Sequence, residues 1–358
     1  MAVNSTMNKS NLSSLRGFVC LISIFICSFT NCWPAKIVVS KETANSRANT
    51  KRWKRIFTPF NFQLEAVNAT GLQSVWAVGE LGVIANFNGE IWDVTRIDFP
   101  VIPHLFAIAM IEPNDGWATG DASTVFHWNG STWAKVTNPF QGQYCKFTSI
   151  HMFSTNDGWI GGYCQTPNDD RGLLMRWNGE EWNDVTPNIY VPSVLSIHGT
   201  SSVDMWITGN FDLVMHWDGN SWITHSLPIG KGLSLNGIFA TSINSAWVVG
   251  GSGYIFHWNG NVWLIMNVPP EAYQLKSVYM STDNEGWAVA WNQYQSSTYI
   301  LHWNGLIWEI ETLIDGRMAG IYVDPNSGSG WIVGETGLVY QYLNQELIQI
   351  YLPLLIKR

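Results

Sequence analysis

Residues 233–266 read LSLNGIFATSINSAWVVGGSGYIFHWNGNVWLIM. This stretch contains four short apolar runs, and the expected strands cover residues 235–240, 246–249, 254–258 and 262–265. Asn-Ser, a Gly-rich segment and Asn-Gly separate the runs, and such residues favour tight turns because they tolerate positive φ. The segment therefore predicts one four-stranded antiparallel sheet.

The same unit recurs seven times along the chain. A Trp marks the second strand of each unit, and these seven anchors are Trp76, Trp117, Trp159, Trp206, Trp247, Trp287 and Trp331. Successive anchors lie 40 to 47 residues apart, which is typical of one propeller blade. The sequence therefore predicts an all-β protein, a seven-bladed β-propeller with four-stranded antiparallel blades.

Aromatic side chains are expected to pack between the blades. A turn centred on the Asn-Gly pair places Phe256 opposite Trp263, and pairing through the Gly-rich turn places Trp247 opposite Phe256. Opposed residues share a face, so Trp247, Phe256, Trp258 and Trp263 are expected on one side of the sheet and His257 on the other. Bulky faces that meet smaller ones would let neighbouring blades interdigitate.

The ring needs a closing strand. The segment from Trp53 to Ile56 resembles the fourth-strand segment 263–265, and we predict that it supplies, or competes to supply, the outer strand of the last blade. Closure of this kind holds both termini in one sheet and removes an exposed edge. Residues 347–351 are the alternative closing strand.

The N-terminal region predicts export. Residues 18–29 form an apolar run that is too short to span a bilayer, and Lys9 and Arg16 precede it without any acidic residue. We expect a signal peptide over residues 1–35, no integral membrane span after its removal, and a secreted or cell-surface protein. Lipidation at Cys32 is an alternative, although the three residues before it depart from a lipidation motif.

Composition and charge define the remaining regions. With 46% apolar and 13% charged residues, the chain has a globular composition. We expect a basic polar stalk over residues 36–52, the propeller over residues 53–351 and a tail over residues 352–358. Residues 36–55 carry seven Lys or Arg and one Glu, whereas the chain from Ile56 onward carries ten basic and 26 acidic residues. The net charges are +6 and −16.

These charges limit the possible partners. An acidic body repels phosphate backbones, so nucleic acid is excluded as the main partner. The basic stalk is interpreted as a solvated linker, and contact with anionic lipid or a wall polymer is the alternative.

Two cysteines are expected to pair. If residues 155–156 form the bend between the first two strands of the third unit, Ile150 opposes Trp159 and Cys145 opposes Cys164. Opposed strand residues come within disulfide range, so an oxidising compartment favours a bridge between Cys145 and Cys164. Two unrelated thiols are the alternative.

Four third strands place a His in the same position: His127, His216, His257 and His302. Equivalent positions on different blades lie too far apart to reach one ion at about 2 Å, so we expect no metal site and no cofactor. The expected role of these residues is hydrogen bonding between blades.

The turns before three anchors resemble the Asp-box turns of sialidase-like propellers. They are NDGW at residues 114–117 and 156–159, and EGW at residues 285–287. The alternative is a turn in which Asp or Asn accepts hydrogen bonds from nearby backbone N–H groups. A sialidase resemblance would also imply an arginine cluster, but the arginines from Ile56 onward show no such recurrence: Arg96, Arg171, Arg176, Arg317 and Arg358. We therefore predict no catalytic residues.

Two segments resemble the repeats of photosystem II assembly factors. They are WAVGELGVI at residues 76–84 and WIVGETGLV at residues 331–339, and the resemblance covers residues 60–350. It implies a propeller fold. It does not imply a photosynthetic role, because this chain has His-Trp-Asn-Gly where those repeats have Thr-Thr-Asp-Gly-Gly, and its body lacks a basic patch.

Two enlarged loops between second and third strands carry the candidate ligand-binding residues. The first contains Asp169, Asp170 and Arg171, and the second contains Trp291 and Tyr294. Loops outside the stacked core tolerate insertions and often carry recognition residues. Trp291 is interpreted as an aromatic platform for sugar or peptide, or as a locally packed residue.

The sequence therefore predicts a monomeric, non-enzymatic module that binds a protein or glycan through its loop face. A sialidase-like carbohydrate-active enzyme is the alternative function, and a structural role in a surface layer is a third.

Overall fold

The protein forms a closed ring of small sheets. The computed structural model describes residues 53–97, 102–166, 170–292, 294–325 and 327–343. These residues form seven four-stranded antiparallel sheets. The first strand of each sheet contacts the first strands of both neighbours, and the last sheet returns to the first. The predicted all-β fold, a seven-bladed β-propeller with four-stranded antiparallel blades, is confirmed. The first strands surround the axis of the ring, and we call the space between them the channel.

The strands follow the chain order, beginning with β1 (Trp53–Ile56). Blade 1 contains β2 (Leu64–Gly71), β3 (Ser74–Gly79), β4 (Val83–Phe87) and β5 (Trp92–Arg96). Blade 2 contains β6 (Leu105–Glu112), β7 (Asp115–Gly120), β8 (Val125–Trp128) and β9 (Trp133–Lys135). Blade 3 contains β10 (Cys145–Ser154), β11 (Asp157–Gln165), β12 (Asp170–Trp177) and β13 (Trp182–Asp184). Blade 4 contains β14 (Val194–Ser201), β15 (Asp204–Gly209), β16 (Val214–Trp217) and β17 (Trp222–Thr224).

The remaining blades repeat this order. Blade 5 contains β18 (Leu235–Ser242), β19 (Ser245–Gly250), β20 (Ile255–Trp258) and β21 (Trp263–Met266). Blade 6 contains β22 (Gln274–Thr282), β23 (Glu285–Trp291), β24 (Ser297–Trp303) and β25 (Trp308–Asp315). Blade 7 contains β26 (Met318–Val323), β27 (Gly330–Gly334) and β28 (Val339–Tyr342), with β1 outermost. Single 3-10 turns join the second and third strands of three blades, at Glu80–Gly82, Gly251–Gly253 and Glu335–Gly337.

The N-terminal strand closes the ring. β1 pairs antiparallel with β28, from Trp53 opposite Tyr342 to Ile56 opposite Val339. The prediction that the N-terminal segment supplies the outer strand of the last blade is therefore confirmed. The competing segment 347–351 lies outside the described residues, as do the expected signal peptide, stalk and tail.

The register between the second and third strands differs from the prediction. Trp247 lies opposite His257, not Phe256. The connection that precedes the third strand explains this shift, because Ser252 (φ 61°) and Gly253 (φ 75°) both adopt left-handed conformations. A shift of one position moves a side chain to the other face of the sheet. The predicted grouping of Trp247 with the other three aromatic side chains is therefore wrong.

The following turn also differs by one position. Trp258 pairs with Trp263, so the two central loop residues are Gly260 and Asn261, not Asn259 and Gly260. Of this central pair only Gly260 has a positive φ, at 88°, which is the pattern of a type II′ turn. Asn259 instead uses its side-chain oxygen, which accepts hydrogen bonds from the backbone N–H groups of Asn261 and Val262.

Each anchor Trp packs against the next blade. The Trp247 ring centroid lies 5.0 Å from that of Trp303 and 5.8 Å from that of Trp308. Five other junctions repeat this contact: Trp76 with Trp128 and Trp133, Trp117 with Trp177 and Trp182, Trp159 with Trp217 and Trp222, Trp206 with Trp258 and Trp263, and Trp331 with Phe87 and Trp92. All seven anchors are buried. Because an aromatic side chain buries roughly 200 Å², these junctions supply much of the core.

The junction between blades 6 and 7 uses the closing strand. Trp287 lies 5.7 Å from Tyr342, and Trp53 packs in the same cluster. The indole N–H groups of Trp53 and Trp287 both donate to one carboxylate oxygen of Glu311, at 3.2 and 3.1 Å. β1 is therefore held by aromatic packing and by a shared acceptor as well as by its backbone pairing.

A disulfide joins the first two strands of blade 3. Cys145 lies opposite Cys164, and their sulfur atoms are bonded. Further along the pair, Ile150 opposes Ile160 and not Trp159, because a bulge between Phe147 and Ser149 shifts the register. The disulfide lies before the bulge, at the start of β10, where the strands pair in the predicted register.

Candidate functional site

The predicted ligand-binding residues lie on two separate hairpins. Asp170 and Arg171 begin β12 in blade 3, where they pair with Gln165 and Cys164. Asp169 lies outside the described residues. The enlarged loop of blade 3 is thus mostly an extension of the β11–β12 hairpin. Trp291 and Tyr294 belong to blade 6, and blades 4 and 5 separate the two hairpins around the ring.

Trp291 is the last residue of β23 and bridges two blades. Its indole N–H donates to the backbone oxygen of Met318 in blade 7 at 2.5 Å. The Lys276 ammonium lies 4.5 Å from the ring centroid, and the Arg317 guanidinium carbon lies 5.4 Å from it. Trp291 is half-buried, so it is a locally held ring with two cations over it. We call Trp291, Lys276 and Arg317 the Trp291 cluster.

The two cations of this cluster have no direct contact with a carboxylate of the described residues. Within the described residues, neither Lys276 nor Arg317 forms an ion pair. Burial lowers the pKa of Lys276, and attraction to the Glu65 carboxylate opposes this effect only in part. Glu65 itself lies 3.0 Å from Nε2 of His104. The cluster is therefore positively charged, on a body whose net charge is negative.

Tyr294 lies just beyond the Trp291 cluster, in the turn that follows β23. Its side chain is 86% exposed. Its backbone N–H donates to the side-chain oxygen of Asn292 at 2.9 Å, which fixes the start of the turn. Tyr294 therefore presents an unshielded aromatic ring at the same end of the ring of blades.

The four repeated His residues bond within their own blades. Each Nε2 atom contacts the side chain two positions before the anchor Trp: His127 with Asp115 at 2.8 Å, His216 with Asp204 at 2.6 Å, His257 with Ser245 at 3.1 Å and His302 with Glu285 at 2.8 Å. Each imidazole also packs against the anchor Trp of its own blade. The expectation of hydrogen bonds between blades is therefore wrong, because these partners sit on the adjacent strand of the same sheet.

The same contacts explain the Asp-box-like turns. Asp115 and Glu285 bond the third-strand His of their blades. Asp157 contacts Nε of Arg176 at 3.1 Å, where Arg176 replaces the His. The acidic residue of these turns therefore bonds a side chain on the third strand and not nearby backbone N–H groups.

A set of equivalent inner-strand residues surrounds the channel. The residue directly opposite each anchor is, in blade order, Asn68, Ala109, His151, His198, Phe239, Tyr279 and Tyr322. From blade 3 to blade 7 these residues are aromatic, and successive ring centroids lie 3.9 to 5.4 Å apart. We call these five residues the aromatic arc. Sequence reasoning missed it, although alignment of the seven first strands on the anchor Trp residues would have shown it.

The aromatic arc is uncharged near neutral pH. Burial lowers the pKa of His151 to about 4, although a backbone hydrogen bond at Gly199 opposes this. Burial, with repulsion from His151, lowers the pKa of His198 well below 6.5. The backbone N–H of Ala240 donates to Nδ1 of His198 at 3.1 Å, so the neutral ring carries its proton on Nε2.

The two tyrosines of the arc keep their protons. Burial raises the pKa of both Tyr279 and Tyr322, and the nearby Asp324 carboxylate adds to this effect. The Tyr322 hydroxyl donates to the backbone oxygen of Ala69 in blade 1 at 2.8 Å. The arc is thus anchored across the junction where the ring closes.

A cavity of about 480 Å³ lies beside the arc. It opens where the first strands of blades 4 to 6 turn into the second strands. Its lining includes His198, Phe239 and Tyr279 from the arc, together with Thr241, Asp283 and Pro325. The described residues that line it include one carboxylate and no Lys or Arg.

The described residues show little sign of a metal site, an arginine cluster or a membrane-spanning helix. No group of three or more His, Cys, Asp or Glu side chains there could hold a metal ion. The described arginines are dispersed: Arg55 lies in β1, Arg96 lies over Phe62 in blade 1, Arg171 and Arg176 lie in blade 3, and Arg317 lies before β26. Across the same ranges, no helix has the length and apolar character needed to cross a bilayer.

Comparisons with known proteins show the fold only. No protein-family model and no curated protein matches the chain. The solved structure of YCF48 bound to D1 peptide matches with a TM-score of 0.64 at 15% identity, over 82% of this chain and 97% of that chain. YCF48 from Cyanidioschyzon merolae matches with a TM-score of 0.62 at 13% identity, over 81% and 98% of the two chains.

Part of an extracellular domain has a similar fold. The extracellular domain of the putative one component system BT4673 from B. thetaiotaomicron matches with a TM-score of 0.61 at 10% identity, over 80% of this chain and 39% of that one. The expected likeness to photosystem II assembly factors is therefore present in the fold. At these identities the matches carry no assignment of function.

Proposed function

We propose that this protein is a non-enzymatic binding module that holds a carboxylate-bearing segment of a partner protein at the Trp291 cluster. One observation carries the proposal: a half-buried indole at the end of the ring has two cations over it, and neither cation has an ion-pair partner among the described residues. A carboxylate placed there would gain two charge-assisted contacts beside an apolar surface.

The position of the cluster supports recognition of a polypeptide. Antiparallel strands alternate in direction, so the connections between second and third strands all emerge at one end of the ring. Tyr294 extends from this end with its ring in solvent, and Asp170 and Arg171 begin a strand at the same end on blade 3. An extended peptide could span such dispersed contacts, whereas a small molecule could not.

A protein partner is favoured over a glycan for this site. Lys276 and Arg317 lie over the ring of Trp291, where a sugar would have to stack. The similarly folded YCF48 is solved with a D1 peptide bound. That structure is one example of a propeller of this fold that holds a polypeptide, and it supports the choice of a protein partner.

Peptide selection on the full chain tests the proposal. Random short peptides would be selected for binding, and the affinities of the selected peptides would be measured by fluorescence anisotropy. We expect enrichment in Asp, Glu or a free C-terminal carboxylate, and a loss of affinity of roughly tenfold in both Trp291→Leu and Arg317→Ala.

Phe211→Ala supplies the matched control. Phe211 is 69% exposed in the connection between the second and third strands of blade 4, so it shares the same end of the ring but lies outside the cluster. Its replacement should leave peptide affinity unchanged. Selected peptides without acidic groups, or peptides that bind Trp291→Leu and Arg317→Ala as tightly as the parent chain, would overturn the proposal.

We also infer that the protein is exported, with a cleaved signal peptide over residues 1–35 and a basic stalk over residues 36–52. The apolar run at residues 18–29 and the disulfide between Cys145 and Cys164 support this inference, since disulfides persist in oxidising compartments. Intact-mass analysis of protein recovered outside the cell should give a chain that begins near Ala35 with no free thiol at either cysteine. An uncleaved chain with two free thiols would contradict export.

A further inference from the structure

We propose that the outer edge of blade 5 is an interface between two copies of this chain, in which β21 of one copy pairs antiparallel with β21 of the other. This interface shares no residue with the Trp291 cluster and does not depend on the peptide site. A reversible dimer replaces the monomer expected from the sequence.

The free edge of β21 supplies unpaired backbone groups. β21 is the outermost strand of blade 5, and within the described residues no strand pairs with its outer edge. An exposed edge strand is a template for another strand, and soluble proteins usually protect such an edge with charged side chains. Here Val262, Leu264 and Ile265 are instead 53%, 42% and 46% exposed. The edge of blade 5 therefore lacks the usual protection.

The other blades show what these positions normally carry. Each outer strand begins with a Trp, and in blade 5 the next two residues are Leu264 and Ile265. Every other blade has at least one polar or charged residue in this pair: Lys54-Arg55, Asp93-Val94, Ala134-Lys135, Asn183-Asp184, Ile223-Thr224 and Glu309-Ile310. Among the seven described outer strands, only β21 thus presents two apolar side chains there.

Blade 5 is also uncharged along its whole length. Residues 232–270 contain no Asp, Glu, Lys or Arg, and this is the longest such run in the chain. Burial lowers the pKa of His257, the one His of this run, although the Asp283 carboxylate opposes the shift. The chain from Ile56 onward has a net charge of −16, so two copies repel each other over most of their surfaces. They approach with least repulsion at blade 5.

The absence of charge favours a second copy as the occupant of this edge. Antiparallel pairing of identical strands is two-fold symmetric, so each residue meets itself or a near neighbour in the other copy. In such a pair, β1 would bring Lys54 and Arg55 together with their own copies, and like charges directly opposite each other are destabilising. β21 brings Leu264 and Ile265 together instead. This strand can therefore pair with itself.

Apolar residues of both neighbouring blades border the edge. Ile265 lies on the same face as Trp263, which packs against blade 4, so Ile265 faces blade 4 and Leu264 faces blade 6. Ile223 in β17 and Ile310 in β25 are exposed on the facing sides of these two blades. The apolar surface therefore extends beyond a single strand on both sides of β21.

Analytical ultracentrifugation of the full chain tests the interface. Over roughly 1 to 100 µM we expect a shift from monomer to dimer, because a short strand pair supports a weaker association than a standard interface. Raising the ionic strength from about 0.05 M to about 0.5 M should tighten the dimer, since salt screens the repulsion between the acidic bodies and leaves the apolar contact. A chain that stays monomeric throughout, or a dimer that salt weakens, would overturn the proposal.

Ile265→Lys and a matched control locate the interface. Ile265→Lys places a cation on the edge and reduces the net negative charge, so weaker association cannot come from stronger overall repulsion. We expect the dimer dissociation constant to rise at least roughly tenfold. Val94→Lys is the control, because Val94 is exposed at the same position of β5 in blade 1, and it should leave the dissociation constant unchanged.

Leu264→Lys guards against a folding defect. It places the cation on the other face of β21, and it should weaken the dimer in the same way if Ile265→Lys fails to fold. A dimer that persists unchanged in a folded Lys variant of either residue would contradict the assignment.

Hydrogen exchange identifies the strand that pairs. Amides of residues 262–266 should exchange more slowly at concentrations that favour the dimer, whereas amides of residues 92–96 should not change. Dimerisation without this protection would place the interface elsewhere and overturn the proposal. Protection of the same amides in a monomeric chain by one of the selected peptides would assign the edge to a foreign strand, which would overturn pairing with a second copy.

Discussion

Asp204 shows how one buried side chain organises a blade. It is 2% exposed and lies 2.6 Å from Nε2 of His216, which stacks on the anchor Trp206. Burial alone would raise the pKa of Asp204, but hydrogen bonds from His216 and Thr200 outweigh burial and lower it. A buried charge that is held in this way depends on every partner, so its loss leaves polar groups unsatisfied.

Replacement of Asp204 should therefore be costly. We expect Asp204→Ala to lower the free energy of unfolding by about 2 to 3 kcal/mol, since His216 loses its buried partner. Asp115→Ala removes the equivalent contact in blade 2, where the side chains of Asp115 and His127 are 17% and 33% exposed. It should cost about 1 kcal/mol or less. Urea denaturation measures both, and equal losses would contradict the role given to burial.

The depressed pKa of His151 predicts acid sensitivity. An unfolded His titrates near 6.5, whereas His151 titrates near 4 in the folded protein, so the unfolded state binds more protons between these values. The contribution of neutral His151 to the free energy of unfolding is fully present above pH 6.5. It declines as the pH falls toward 4, by up to about 3 kcal/mol. The depressed pKa of His198 acts in the same direction.

Denaturant unfolding at a series of pH values measures this slope. His151→Phe should flatten the decline between pH 6.5 and 4, because a Phe ring cannot gain a proton. A parent chain whose stability is constant across this range, or a variant that keeps the full slope, would contradict the burial of a neutral imidazole.

At the scale of the strand, the sequence predicts where elements lie better than how they pair. The Trp period and the turn residues give seven units, because each strand needs only local signals. The register depends on the shape of each turn. Ser252 adopts a positive φ although it is not Gly, and that local conformation moved Trp247 to the other face of its sheet. Nothing in the residue types of this turn distinguishes the two registers.

Close approach between strands and turns adds a constraint that only coordinates reveal. Gly209 ends β15, and a Cβ atom built there would lie 1.9 Å from the backbone oxygen of Ser193. A methyl group cannot fit without displacing the main chain. Several other blades end the second strand in a Gly with the same contact, including Gly79 and Gly120.

Gly209→Ala should therefore destabilise the protein. We expect a loss of at least about 2 kcal/mol in the free energy of unfolding, since the clash is with backbone and not with a flexible side chain. Gly230→Ala is the matched control, because a Cβ atom there meets nothing within 4 Å. Chemical denaturation of the two variants side by side decides the matter, and a neutral Gly209→Ala would show that the turn relaxes easily.

At the scale of the whole molecule, long-range contacts create the sites. The sequence identified Trp291 as a candidate binding residue because it lies outside the repeated positions. The two cations over its ring, Lys276 and Arg317, come from the neighbouring inner strand and from the start of the next blade. The aromatic arc likewise draws one residue from each of five blades. Sequence patterns locate each residue within its own unit, and only ring closure brings these units together. The fold was therefore predictable in outline, whereas the composition of both candidate sites was not.

The N-terminal strand β1 closes the ring of blades. β1 contributes backbone pairing with β28, the indole of Trp53 and a hydrogen bond to Glu311. Without it, blade 7 would have three strands and an open edge, and the junction between blades 6 and 7 would lose an aromatic partner.

Thermal unfolding of a truncated chain tests whether β1 closes the ring. A chain that starts at Asn61 lacks β1, and its unfolding midpoint would be compared with that of a chain that starts at Lys51. We predict a midpoint at least ~5 °C lower for the shorter chain, because it loses the buried Trp53 and the backbone pairing of the four-residue strand β1. An equal or higher midpoint would contradict closure of the ring by the N-terminal strand.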